Sequence, residues 1–205
     1  MSRWGVLTLV LSGFMAVVAR AEGRLPIIPP AQYDAEQKQA AAEFEAARKT
    51  QVSGPFALMM HSPQVMTRAR AMGDYLRYKS ALGSLTELVI LMTARDWSQD
   101  YEWSTHYPLA LQAGIRREVA DAVAEGKRPT AMTSDEEIVY NYVSELLRTK
   151  HVSDATFERA KARFGPKGIV DMTGITGYYT FVAMQLNAAQ FPPPDDGRRL
   201  PRLVR

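Results

Sequence analysis

Two consecutive stretches decide the fold: SLTELVILMTARDW (residues 84–97) and SQDYEWSTHYPLALQA (residues 98–113). In the first, Leu85, Leu88, Val89 and Met92 recur at helical spacing and turn one apolar stripe toward a core. In the second, Ser98 is placed to cap a helix that runs through Ala113 and closes on Gly114. The same grammar extends both ways. An Ala-, Glu- and Gln-rich run from Tyr33 to Lys49 favours helix by propensity. Gly54-Pro55 breaks the chain, and Ser62-Pro63 opens a helix to about Lys79. Downstream, Ile115 to Glu125 is a short amphipathic helix, and Thr133 with Glu136 forms a capping box. Ser153 starts a helix ending at Phe164-Gly165, and Pro166 to Ala189 reads as a long apolar helix that must be buried. No stretch alternates as a strand would. The expected fold is all-α, one domain over residues 33–190.

The N-terminus reads as a separate element. Arg3 precedes an apolar run from Trp4 to Val18, which closes on Ala19-Arg20-Ala21. That run is short for a membrane-spanning helix and suits the apolar region of a cleavable export signal, residues 1–21. The alternative is an uncleaved anchor. Cleavage leaves 184 of the 205 residues and 23 of the 25 basic side chains against 22 acidic ones, so the charge falls from +3 to +1. The expected address is periplasmic or secreted. Residues 22–32 form a Pro-rich linker in which Pro26, Pro29 and Pro30 oppose regular structure. Residues 191–205 form a Pro- and Arg-rich tail.

Composition narrows the chemistry. The chain has no cysteine, which removes disulfides, thiolate metal sites and thiol catalysis. Its three histidines, His61, His106 and His151, leave little for a metal site, and none is expected. The basic residues are scattered and mark no nucleic-acid footprint. No cofactor motif is present; Gly174-Ile-Thr-Gly177 lacks the lysine of a phosphate loop and suits close helix packing instead.

The candidate site lies on the second stretch. Glu102 and His106 are one helical turn apart, so carboxylate and imidazole can meet on a face shared with Gln99, Ala110 and Ala113. They fall in the first two turns, near the unpaired N–H groups of a helix start. Pro108 should disturb the turn just after His106. An acid–base pair on an apolar face is a proton-transfer unit in outline. The bland reading is a helix-stabilising ion pair. Glu87 is equally well explained by a capping box, Ser84-x-x-Glu87. His61 can bond loop backbone, and the methionines are adaptable core filler.

Taken together these residues resemble the carboxymuconolactone decarboxylase-like family, which includes the alkylhydroperoxidase D proteins. The resemblance rests on Gly54-Pro-Phe56, His61-Ser-Pro63, Glu87 nineteen residues before His106, and Tyr101-Glu-Trp103-x-x-His106-x-Pro108. It continues from Arg163-Phe-Gly165 to Gly177-Tyr-Tyr179 and spans about Tyr33 to Ala189. It implies an alkylhydroperoxidase D-like helical bundle that associates as a dimer, trimer or hexamer, with the site near a subunit contact. The peroxidase branch carries Cys-x-x-Cys with a histidine four residues on. Matched on His106, those positions hold Gln99 and Glu102, so thiol peroxidase chemistry is disfavoured.

The expectation is a cofactor-free lyase or isomerase, a decarboxylase-like protein moving protons on a small organic acid or lactone. His106 would be the general acid/base, oriented by Glu102, with Glu87 behind or beside it. His61, Phe56, Trp97, Trp103 and Tyr107 would line the pocket, and Arg95 would take a substrate carboxylate. The competing expectation is a ligand-binding or assembly protein of the same fold. Burial discriminates: a covered Glu102–His106 face means structure, a lined cavity means chemistry.

Overall fold

A computed structural model describes residues 23–203. The export-signal reading of residues 1–21 lies outside them. The described chain is helical throughout, with no strand among the described residues: α1 (Ala35–Arg48), α2 (Pro55–Met59), α3 (Pro63–Tyr78), α4 (Leu85–Asp96), α5 (Asp100–Gln112), α6 (Arg117–Ala124), α7 (Ser134–Thr149) and α8 (Asp154–Ala189). None of these is long and apolar enough to cross a membrane.

The helix at the centre is α4. It packs against α5, α6, α7 and α8. Every residue from Thr86 to Ala94 is buried, not one stripe of them, because the run is apolar on all sides and has neighbours on all sides. Leu88, Ile90 and Leu91 are fully buried, and each such side chain contributes about 1.5–3 kcal/mol. Glu87 is the one charged residue within this buried run from Thr86 to Ala94, and that placement sets up the site.

Local chemistry starts most helices as sequence dictates, with instructive exceptions. Asp34 and Thr133 close capping boxes with Gln37 and Glu136. Ser153 caps α8. Ser62 and Ser84 precede their helices without a side-chain cap, so no Ser84–Glu87 box forms and the Glu87 carboxylate is free to turn inward. Ser98 takes a left-handed conformation, and Gln99 caps α5 in its place. Pro108 lies inside α5 without ending it.

The last long helix is two segments joined at Gly165, whose φ of 70° is non-helical and which precedes Pro166. The second segment is buried on one side only: Ile169, Met172, Ile175, Val182 and Leu186 face the core, while Val170 and Met184 are exposed. Its length of apolar sequence therefore overstated its burial.

Both flanking segments pack on the bundle. Pro30–Gln32 forms a turn of 3-10 helix within the Pro-rich segment, and the Arg24 N–H donates to the Ala189 carbonyl. The tail lies across the outer side of α5. Leu200 is buried and its N–H donates to Asp100 Oδ1 at 2.9 Å. Ser104 Oγ donates to the Arg198 carbonyl at 2.9 Å.

Candidate active site

The α4 and α5 helices run together, and their contact brings Glu87 to His106. The His106 ring is buried, with Nδ1 2.7 Å from Glu87 Oε2 and Nε2 3.5 Å from Glu102 Oε2. An ionised carboxylate can only accept, so Nδ1–H donates to Glu87 and the Nε2 lone pair is turned toward Glu102. Glu87 is thus the residue that orients the ring, and Glu102 faces its working nitrogen. Helical spacing alone suggested the reverse assignment. The i,i+4 pair is real but long, whereas the tight bond comes from another helix.

Arg77, in the last turn of α3, completes the line. Its Nε lies 3.5 Å from Glu87 Oε1 and has no hydrogen-bond partner among the described residues. Tyr179 of α8 meets the His106 ring edge-on, centroids 5.2 Å apart. Burial raises the Glu102 carboxyl above its ordinary value; His106 and Arg77 pull it back, and the Glu87 charge adds to the rise. Glu102 therefore tends to hold a proton that it can pass to Nε2. Burial likewise pushes the Tyr179 phenol well up, so it acts as a neutral wall.

This unit borders a partly open cavity of about 170 Å³, lined by Glu102 and His106 together with Phe56, Arg48, Arg77, Tyr101 and Tyr178. Two glycines shape it. Gly54 has a φ of 57°, and a β-carbon there would overlap the Tyr101 hydroxyl. A β-carbon at Gly73 would overlap the hydroxyl of Tyr178. Each glycine makes room for a phenol that lines the cavity.

Of the remaining expected residues, one lines the cavity and five are placed elsewhere. Phe56 does line the cavity, stacked under the Arg48 guanidinium at 4.4 Å. His61 is exposed and its Nε2 donates to the Pro26 carbonyl at 2.8 Å, the loop-backbone alternative. Trp97 donates to Thr180 Oγ1 at 3.2 Å. Trp103 is fully buried beside Tyr107, and Tyr107 donates to Asp121 Oδ1 at 2.6 Å and takes a bond from Arg198. Positions 103 and 107 follow 102 and 106 by one residue, about 100° round the helix, and so face away from the cavity. Arg95 donates to the carbonyls of Ala124 and Pro201 and to Ser98 Oγ, which ties down the tail. Five of the proposed lining residues thus do structural work.

Arg48 and Arg77 were not singled out from sequence, and Tyr101 and Tyr178 stood in the quoted motifs without a site role. A signal for Arg77 existed: Arg70, Asp74 and Arg77 recur at spacings of four and three around Gly73, a charged stripe on an otherwise amphipathic helix. The helix start offers no free anion cradle either. Gln99 Oε1 accepts from the N–H groups of Tyr101 and Glu102 at 2.6 and 3.4 Å, and its Nε2 donates to Asn187. Among the described residues no group of three or more acidic, histidine or cysteine side chains is placed to hold a metal ion.

The helical bundle has the alkylhydroperoxidase D-like fold, as its similarity to solved structures shows. The chain is similar to the alkylhydroperoxidase AhpD core of an uncharacterized peroxidase-related protein from Ralstonia eutropha JMP134, at 18% identity and a TM-score of 0.70. It is also similar to an uncharacterized peroxidase-related protein from Silicibacter sp. TM1040, at 14% identity and a TM-score of 0.68. Each match covers 87% of this chain and 95% of the other. No protein-family model matches the sequence, and no curated protein does.

Proposed function

We propose that the cavity is a cofactor-free acid–base site, and that the protein is a lyase or isomerase acting on a small organic acid or lactone, in the manner of a carboxymuconolactone decarboxylase. One observation carries this reading: His106 is locked through Nδ1 while its Nε2 faces the buried Glu102 carboxyl at a cavity wall. A structural ion pair needs neither the cavity nor the second carboxylate. In an isomerisation, His106 Nε2 takes a proton from carbon beside a carbonyl, the electron pair moves into that carbonyl, and Glu102 or His106 returns a proton to another carbon. In a decarboxylation, the bond to the carboxylate breaks, its electrons stay on carbon, CO2 leaves, and the proton stored on Glu102 or His106 fills the vacated position. Neither route needs a sulfur atom, in keeping with Gln99 and Glu102 at the two thiol positions.

The same reading includes homo-oligomers, with exposed Met72, Val170 and Met184 as apolar surface for contact, and export through the N-terminal signal.

Solvent-deuterium incorporation tests the chemistry without knowledge of the natural substrate. The mature protein is incubated in D2O with enolisable small acids and lactones, and C–H exchange is followed by proton NMR. Exchange with at least one compound is expected, falling by roughly 10²–10⁴ in His106→Ala. No exchange with any compound, or equal exchange by His106→Ala, would overturn the reading.

A further inference from the structure

The cavity has a second chemical pole, opposite in character to the acid–base unit. Arg48 and Arg77 both line it, but their charges are not equally committed. Arg48 is held by Asp74, with Nε 2.9 Å and Nη2 2.7 Å from Oδ1, and it stacks on Phe56. Asp74 also takes Arg70 Nη1 at 2.8 Å, so one carboxylate serves two guanidinium groups. Arg77 is in a different position. Its contact with Glu87 is 3.5 Å long, its Nε lacks a hydrogen-bond partner, and Glu87 already accepts the tight bond from His106.

Counting formal charges around the cavity gives three arginines against Asp74 and Glu87, with the buried Glu102 tending to stay protonated. Arg77 is the least committed of the three, with a long contact to Glu87 and an Nε that lacks a hydrogen-bond partner. A guanidinium in that state is suited to a planar anion with two oxygens, which it can meet with parallel hydrogen bonds. The phenols of Tyr101 and Tyr178 line the same space as further donors. A cavity of about 170 Å³ suits a compact guest.

We propose that Arg77 is the specificity-determining residue of this cavity, anchoring the carboxylate of a compact organic acid whose reacting carbon then lies toward His106 Nε2 and Glu102. The inference rests on the acid–base reading above and adds to it the polarity of the substrate and the way it enters. The anchoring carboxylate is retained in the reaction. Its contact with Arg77 also draws the guanidinium away from Glu87 and leaves Glu87 more fully to the His106 Nδ1–H. Arg95, the arginine that sequence position suggested, has its donors occupied by Ala124, Pro201 and Ser98 and does not line this cavity.

The test uses propionate and benzoate against propionamide and benzamide, with binding read from the His106 ring signals by NMR and from calorimetry. Both carboxylates should bind and shift His106, and the isosteric amides should bind at least tenfold more weakly. Arg77→Lys keeps the charge and the helix but loses the planar fork, and should weaken carboxylate binding by roughly tenfold or more, the fold-change of about 1.4 kcal/mol or more. Arg77→Gln should weaken it further, and Arg95→Gln should leave it unchanged. Equal binding of acid and amide, unchanged affinity in Arg77→Lys, loss of binding in Arg95→Gln, or inorganic phosphate binding as tightly as benzoate would each overturn the proposal. The two readings fail separately. Carboxylate binding through Arg77 without any deuterium incorporation defeats the acid–base reading alone, and incorporation untouched by Arg77→Lys defeats the anchoring alone.

Discussion

Replacing Glu87 separates a positioning role from mere burial. Glu87→Ala removes the acceptor of a buried N–H, and leaving that donor unsatisfied costs about 1–3 kcal/mol. Arg77 loses its counterion. The pair is 3.5 Å apart and the Arg77 side chain is 21% exposed, so the loss falls between the exposed and buried limits, about 1 kcal/mol. The missing stem in a packed helix adds about 1 kcal/mol more. The total is roughly 3–5 kcal/mol, which for a domain of this size lowers Tm by roughly 6–20 °C. Glu87→Gln keeps volume and an acceptor oxygen and loses only the charge, so it should cost about 1 kcal/mol and a few degrees. Circular dichroism melts give the order wild type, Glu87→Gln, Glu87→Ala. Nitrogen-15 NMR of the His106 ring gives the mechanism: wild type carries its proton on Nδ1, and Glu87→Ala shifts it toward Nε2. Equal melts for the two variants, or an Nε2–H tautomer in the wild type, would refute the argument.

Two further outcomes follow from the same geometry. Because burial raises the folded-state value of Glu102, its protonated form adds stability fully below the ordinary carboxylate value, and that contribution is lost as pH rises through the raised one. Urea unfolding from pH 4 to 8 should show wild type losing stability relative to Glu102→Gln as pH increases; parallel curves would show that Glu102 is not buried neutral. Gly54→Ala forces a side chain onto a φ of 57° and into the Tyr101 hydroxyl. It should cost about 1–3 kcal/mol and displace Tyr101 from the cavity, measured as a lower Tm together with weakened benzoate binding. An unchanged melt would show that the backbone there is free to relax.

The helical architecture was legible because periodicity and capping chemistry are local. Thr133 with Glu136 and the Gly165-Pro166 break were readable to within a residue or two. The site was legible only in part. Glu102, His106 and Phe56 reach the cavity and Glu87 stands behind His106, but which carboxylate grips which nitrogen depends on the α4–α5 contact, a tertiary fact. Trp103 and Tyr107 were drawn in by closeness in sequence, although one residue along a helix is a change of side. Arg77 escaped notice because a basic residue in a last turn already has an explanation, complementing the helix dipole. Ser84 misled in the opposite sense: it looked sufficient to account for Glu87, yet its hydroxyl caps nothing.

The tail across the outer side of α5 bears on when the site comes into being. The helix that carries Glu102 and His106 is clamped by residues such as Leu200, which bonds Asp100 from one hundred positions downstream. During synthesis that helix emerges long before its clamp, and contacts of such sequence separation are closed slowly. The nascent bundle can pack α5 on α4 through their own contact, and the outer clamp on α5 closes only after the tail has been made. The outer face of the helix that carries the site is accordingly among the last surfaces to be covered, on the timescale of long-range closure rather than of helix formation.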